Sequence, residues 1–337
     1  MNSTATALIL FCTATGAMAD PAGLRTQKLE MAHHAKQANA TIWYPNGGGG
    51  DVTVFAENPV FQGVDAAMGA DLAEGQHPVI LFSHGMGGTA RAQAWLASAL
   101  AERGAIVVSV NHANSTWGDF DMGEGVKHWT RAADLSAALD AMLADPEYAG
   151  HIDQSRIMVA GFSYGGWTAL SMGGVTGSLS GIVDACTTHI ETMEACEMLL
   201  SAEVNMQGLD PKAWSADYSD KRITHVTAID PGFVWGLETD NVKDLIPDVH
   251  IIGFGGPQDR MQATDFDASG LAGLLPDAQF TQFEPSFHFT AMPLCKPAGE
   301  AILQDENDDP VCTDPVGTDR AAVHAAIVEA IASDLGL

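Results

Sequence analysis

The segment Gly161-Phe162-Ser163-Tyr164-Gly165-Gly166 carries the spacing G-x-S-x-G. A serine held at a sharp strand-to-helix turn presents its Oγ to a substrate carbonyl, and flanking glycines keep side chains out of the crowded turn. A hydroxyl is a weak nucleophile until a base takes its proton, so a histidine must stand by it, oriented by a carboxylate. Of twelve histidines, His288 lies just past the last apolar run, in Glu284-Pro285-Ser286-Phe287-His288-Phe289. A loop leaving a final strand there reaches back to the serine. His324 falls inside a C-terminal helical pattern and His33-His34 precede the sheet-forming segments, so all three are expected on the surface. Two aspartates keep the order Ser…Asp…His: Asp230 in Asp230-Pro231-Gly232, and Asp259 in Gly255-Gly256-Pro257-Gln258-Asp259. An Asp-Pro-Gly bend is also a common structural turn, and Asp259 also suits a solvated loop, so both remain candidates.

A second glycine-rich loop, Ser83-His84-Gly85-Met86-Gly87-Gly88, follows the apolar run PVILFS. Such a loop can turn backbone N–H groups toward a developing oxyanion, with Met86 N–H and Tyr164 N–H as the expected donors. A phosphate-cradling loop would end in GK[ST], which this one does not. This chemistry requires no metal and no cofactor.

These residues need elements to position them. Short apolar runs at Pro78–Ser83, Ala105–Val110, Arg156–Ala160, Ile223–Ile229, Val249–Phe254 and Gln279–Phe283 read as buried strands. Helical patterns lie between several of them, at Ala90–Arg103, Trp129–Leu143 and from Gly166, and Arg320–Leu335 closes the chain. Thr41–Tyr44 and Val52–Phe55 add two extended segments around the turn Gly47–Gly50. Alternation of this kind predicts a mostly parallel, eight-stranded α/β sheet covered on both faces. No GxGxxG follows the first strand of the series, which argues against a dinucleotide-binding fold. Residues 173–221 interrupt the alternation and read as a cap inserted into one α/β domain spanning 20–337. The methionines Met193, Met198 and Met206, with Trp214, suit either an acyl pocket in that cap or its packing onto the core.

The chain has 337 residues, 46% of them hydrophobic, enough for a large buried core. Its formal net charge is −28, from 43 Asp+Glu against 15 Lys+Arg, which excludes nucleic-acid binding by charge and disfavours a cationic pocket. Neutral or apolar small molecules fit better, and the acidity suggests a saline habitat. No apolar run reaches the roughly 18–20 residues of a membrane span. Residues 1–19 resemble a secretory leader, with Ala7–Cys12 apolar and Ala17-Met18-Ala19 as a cleavage site, although no Lys or Arg precedes them. Removing them leaves Cys186, Cys196, Cys295 and Cys312. An even count in close pairs fits disulfides 186–196 and 295–312, the simplest of three possible connectivities, formed in a periplasmic or secreted setting. A zinc site is the competing use of the cysteines, but no CxxC is present. Nothing in the sequence speaks to oligomeric state.

Taken together, these residues resemble α/β-hydrolases of the predicted dienelactone hydrolase family, related to plasma-type platelet-activating-factor acetylhydrolase, in its secreted bacterial branch. The likeness runs from about Thr41 to the C-terminus. It rests on Ile42-Trp43-Tyr44-Pro45, Phe82–Gly88, Leu96–His112, Trp129-Thr130-Arg131-Ala132-Ala133-Asp134, the Ser163 turn, Phe287–Cys295 and the tail through Cys312 to Arg320. The resemblance implies an α/β-hydrolase fold and a Ser-His-Asp triad that cleaves small-molecule carboxylic esters through an acyl-enzyme. The acetylhydrolase relatives place the acid where Asp230 stands, the lipase-like ones where Asp259 stands; the Asp-Pro-Gly turn favours Asp230. True dienelactone hydrolases use a cysteine nucleophile where this chain has Ser163, so the family label does not name a substrate. Acyl transfer and peptide hydrolysis use the same triad, and a hydrolase fold can also serve only to bind.

Overall fold

The computed structural model describes residues 20–34 and 36–337, so the expected leader and Cys12 lie outside the described residues. Six neighbouring parallel strands make up more than half of the sheet. They are β5 (His77–Ser83), β6 (Ile106–Val110), β7 (Ile152–Phe162), β8 (His225–Ile229), β9 (Val249–Phe254) and β10 (Gln279–Phe283). Four more extend one side: β1 (Gly23–Glu30), β2 (Gln37–Tyr44), β3 (Asp51–Phe55) and β4 (Val64–Met68). The order across the sheet is β10-β9-β8-β7-β5-β6-β2-β1-β4-β3. Antiparallel pairing begins where β2 meets β6.

The mostly parallel sheet expected from the alternation is present, with ten strands in place of eight. The two additional strands, GLRTQKLE and VDAAM, lack the continuous apolar run that marks a strand buried on both faces. They lie toward the margin, where one side chain in two can stay wet. His33-His34 therefore follow the first strand and do not precede the sheet.

Side chains alternate along the central strands and feed two cores, one per face. Val79, Leu81, Val108 and Val159 meet Leu135 and Leu139 of α2 (Trp129–Ala144) and Trp167 and Leu170 of α3 (Tyr164–Gly173). Ile80, Phe82, Val107 and Met158 meet Leu96 and Leu100 of α1 (Ala94–Glu102), and Ile327 and Ile331 of the C-terminal helix Arg320–Leu335. Period-2 alternation with both faces apolar is what a helix-covered parallel sheet requires.

Between α3 and β8 the chain forms the helix Leu179–Thr188 and two shorter ones, Cys196–Leu200 and Pro211–Trp214. A disulfide joins Cys186 to Cys196, and a second joins Cys295 to Cys312. Met193, Met206 and Trp214 are buried in the first core, and Met198 packs against it. These side chains fill space in the core. His324 departs from the expectation of a surface residue: it is buried, its Nε2 donates to the Thr290 carbonyl at 2.8 Å, and its ring stacks on Trp95. The helix turns that face inward because Ile327, Val328 and Ile331 share its side.

Candidate active site

Ser163 sits between β7 and α3 with φ 56° and ψ −118°. That backbone is costly for a residue with a side chain and persists only where surroundings over-determine it. They do so here. Ser163 N donates to the Ile229 carbonyl at 2.9 Å, and Gly232 N donates back to the Ser163 carbonyl at 3.2 Å. The turn is also tight enough to demand glycine on both sides. A Cβ on Gly161 would stand 2.1 Å from the Gly165 carbonyl oxygen, and one on Gly165 would stand 1.9 Å from the Ser83 carbonyl oxygen. Both distances are far inside van der Waals contact, so the G-x-S-x-G spacing is a packing requirement of strand, turn and loop.

The same backbone contacts bring the Asp230-Pro231-Gly232 turn to the serine. Asp230 has φ 46°, and its N–H donates to the Ile252 carbonyl. Its carboxylate is buried and well held. Oδ1 accepts from Phe254 N at 3.2 Å, while Oδ2 accepts from Thr264 Oγ1 at 2.8 Å and from His288 Nδ1 at 2.6 Å. The His288 ring is itself buried and packs on Phe162, the residue before Ser163, with centroids 4.6 Å apart. His288 is thus fixed in the tautomer that donates from Nδ1 and leaves Nε2 free to accept.

Asp259 lies elsewhere. It is exposed on the turn after β9, where its N–H donates to the Gly256 carbonyl. The segment instead continues through Arg260, which pairs with Asp265 and Asp267, to Thr264, whose hydroxyl supports Asp230. The strand expected to deliver one candidate acid therefore delivers a hydrogen bond to the other.

The loop after β5 closes over the serine: a Cβ built on Gly85 would be 3.3 Å from Ser163 Cβ. Met86 is half-buried on this loop. Tyr164 opens α3, where the first N–H groups have no intrahelical acceptor and the helix dipole favours negative charge. Its side chain is locked, with Oη donating to the Gly125 carbonyl at 2.9 Å, and burial pushes the phenol well above its ordinary pKa.

Beneath the loop runs a polar network that the sequence reading did not assign. Arg131 is fully buried: Nε donates to Thr168, Nη1 to Ser115 at 2.6 Å, and Nη2 to Ser83 Oγ and to the His84 carbonyl. The guanidinium also lies 4.4 Å from the centre of the Tyr164 ring. Burial lowers its pKa only to about 10, so it stays charged at neutral pH. Ser83 Oγ meets His112 Nε2 at 2.9 Å, and His112 Nδ1 donates to Asp134 at 2.8 Å. Burial drives His112 down to about 4, so the ring is neutral. The signal was present in Trp129-Thr130-Arg131-Ala132-Ala133-Asp134, where two charges three apart share the apolar face of a helix.

The His288 loop is anchored from behind. Thr290 Oγ1 donates to Asp314, and buried Arg320 grips both oxygens of Asp314 at 2.8 and 3.0 Å and two backbone carbonyls. The Cys295–Cys312 disulfide ties the two flanks of this anchor together.

No family model matches the chain, and no curated protein does. Solved structures do. A ferulic acid esterase from Streptomyces cinnamoneus superimposes with a TM-score of 0.58 at 18% identity, over 96% of this chain and 91% of its own. The chain has the α/β-hydrolase fold. Two further solved structures that match are a dienelactone hydrolase from Anabaena variabilis and an acylaminoacyl peptidase from Pyrococcus horikoshii. The first has a TM-score of 0.46 at 13% identity, over 91% of this chain and 96% of its own. The second has a TM-score of 0.49 at 14% identity, over 80% of this chain and 38% of its own. In this sheet β5, β7, β8, β9 and β10 run parallel, so the turn after β7 and the loops after β5, β8 and β10 leave the same edge, where Ser163, Gly85, Asp230 and His288 follow them.

Proposed function

We propose that this chain is an exported serine hydrolase that cleaves carboxylic esters of small, neutral or apolar molecules. The observation that carries the reading is the buried His288–Asp230 pair, 2.6 Å apart and packed beside the strained Ser163 turn. Ser163 Oγ attacks the ester carbonyl as His288 Nε2 takes its proton. Asp230 orients the ring and stabilises the imidazolium. The N–H groups of Met86 and Tyr164 receive the oxyanion. The proton then passes to the leaving alcohol, and water, activated by the same histidine, releases the acid from the acyl-enzyme.

Substrate class follows from what borders the loop. Trp117 and Phe120 are exposed, Trp117 N donates to the Gly88 carbonyl, and the Phe120 ring approaches Gly87. They offer apolar surface next to the proposed oxyanion site, which suits short to medium acyl groups better than charged ones. Both disulfides fit an oxidising compartment, in keeping with export. Among the described residues no helix is long and apolar enough to cross a membrane.

The test is a fluorophosphonate probe applied to the wild type and to Ser163→Ala. Labelling and p-nitrophenyl ester hydrolysis should both vanish in the variant. Labelling that survives there, or a wild type that neither labels nor hydrolyses, defeats the proposal.

A further inference from the structure

Away from Ser163, the turn that follows β1 holds two adjacent histidines over one carboxylate. His33 Nε2 lies 2.8 Å from Asp134 Oδ1, and His34 Nε2 lies 3.2 Å from the same oxygen. The three potential ligand atoms all fall within 4.8 Å of one another. One ion bonded at about 2.0–2.2 Å to each can bridge such a set.

Three observations distinguish this group from a chance surface cluster. Asp134 is buried, yet among the described residues its ion-pair partners are imidazoles only, without a Lys or Arg. Arg131, one turn earlier, commits its N–H groups to Thr168, Ser115, Ser83 and His84. Second, His34 Nε2 is buried and, although 3.2 Å from Asp134 Oδ1, is not aligned for a well-formed hydrogen bond to it or to any other described residue. The side chain is only 10% exposed, and an unpartnered buried nitrogen is costly. A cation bound beside Oδ1 would engage that nitrogen through its lone pair. Third, the other oxygen of Asp134 accepts from His112 Nδ1, the kind of outer support that orients ligating carboxylates.

We propose that His33 Nε2, His34 Nε2 and Asp134 Oδ1 bind one divalent first-row transition ion of the zinc type, with solvent completing its shell. Two imidazoles and a carboxylate suit zinc and its neighbours better than calcium or magnesium, which prefer oxygen. The group lies near solvent: the His33 side chain is partly exposed, and His34 borders an open cleft of about 200 Å³ shared with Asn111, Trp117 and Asp119. Lys36 also borders the cleft, but its charge is taken up by Asp119 at 2.6 Å. Bound there, the ion ties the β1–β2 connection to α2. The site is independent of ester cleavage and stands or falls separately.

The experiment is calorimetric titration of tag-free, chelator-stripped protein with Zn2+ alone, alongside the double variant His33→Ala/His34→Ala and a control, His189→Ala. Wild type and control should bind one equivalent, and the double variant should lose that equivalent or weaken it at least about tenfold, given what even outer-shell changes cost. Replacing Zn2+ by Co2+ should give the strong visible bands of a four-coordinate site in wild type and not in the double variant. Circular dichroism of the double variant checks that it is folded. No stoichiometric binding in wild type, or binding that persists in the folded double variant, overturns the proposal.

Discussion

Asp230 and Asp259 are 29 positions apart in a chain whose strands alternate regularly, and residue chemistry alone treats them equally. What separates them is the company each keeps. Asp230 is buried, carries hydrogen bonds from Phe254 N and Thr264, and meets His288, whereas Asp259 faces solvent. If the proposed triad is right, Asp230→Asn should lower kcat by about 10³–10⁴-fold, since the amide imposes the wrong histidine tautomer. Asp259→Asn should leave kcat within about twofold, as expected for an exposed residue away from the reacting atoms. Thr264→Val should produce a smaller fall in kcat with KM nearly constant, because it loosens the acid and touches no substrate. Steady-state kinetics on a p-nitrophenyl ester reads all three. Equal activity of both aspartate variants would remove Asp230 from the mechanism.

At the scale of elements, the His288 loop is not self-supporting. It is a short 3₁₀ turn, His288–Ala291, held by Asp314 and Arg320 and by a disulfide that closes a 17-residue separation. A cross-link of that span is worth about 3 kcal/mol in the chain-entropy view. The double variant Cys295→Ser/Cys312→Ser should therefore lose unfolding free energy of that order, read as a lower urea midpoint. It should also lose kcat more than the equivalent change at Cys186 and Cys196, whose bridge lies in the insertion between α3 and β8. Equal kinetic effects of the two double variants would show that the 295–312 bridge has no special bearing on His288. The elements themselves were readable. Apolar runs marked the central strands because burial on both faces leaves no room for polar residues. β1 and β4 escaped because strands toward the sheet margin need only partial apolar character.

For the whole molecule, charge and buried histidine set the response to solution conditions. Burial holds His128 and His324 near pKa 4, against about 6.5 in the unfolded chain. Between those values the unfolded chain binds more protons. Stability from these two groups is thus full above pH 6.5 and is lost as pH falls toward 4, on the order of 3 kcal/mol for one such histidine. The urea midpoint should fall between pH 7 and pH 5, and His324→Gln should flatten that slope; an unchanged slope would exclude His324 as a contributor. A net charge of −28 also makes self-repulsion a global term. Raising NaCl to the molar range should screen it and raise the unfolding midpoint. A midpoint that stays flat or falls would mean that the acidic surface carries no such cost.

The sequence by itself determined the local features. They are the strand–turn–helix around Ser163, the glycine-rich loop after β5, the alternation that makes a parallel sheet, and the cysteine pairs. Each depends on neighbours within about twenty residues, and on glycine, apolar period or count, all of which a linear reading can see. Tertiary structure decided the long-range partners that the sequence left open or did not pair, since the sequence favoured Asp230 for His288 but kept Asp259 beside it. Asp230 and His288 are 58 positions apart, Arg131 and His84 are 47, and His33 and Asp134 are 101. Those meetings depend on strand order and on which side of each strand a loop leaves. Buried polar groups must find partners wherever the packed chain offers them, so His324 turned inward to the Thr290 carbonyl and the buried Asp134 carboxylate met His112 and His33.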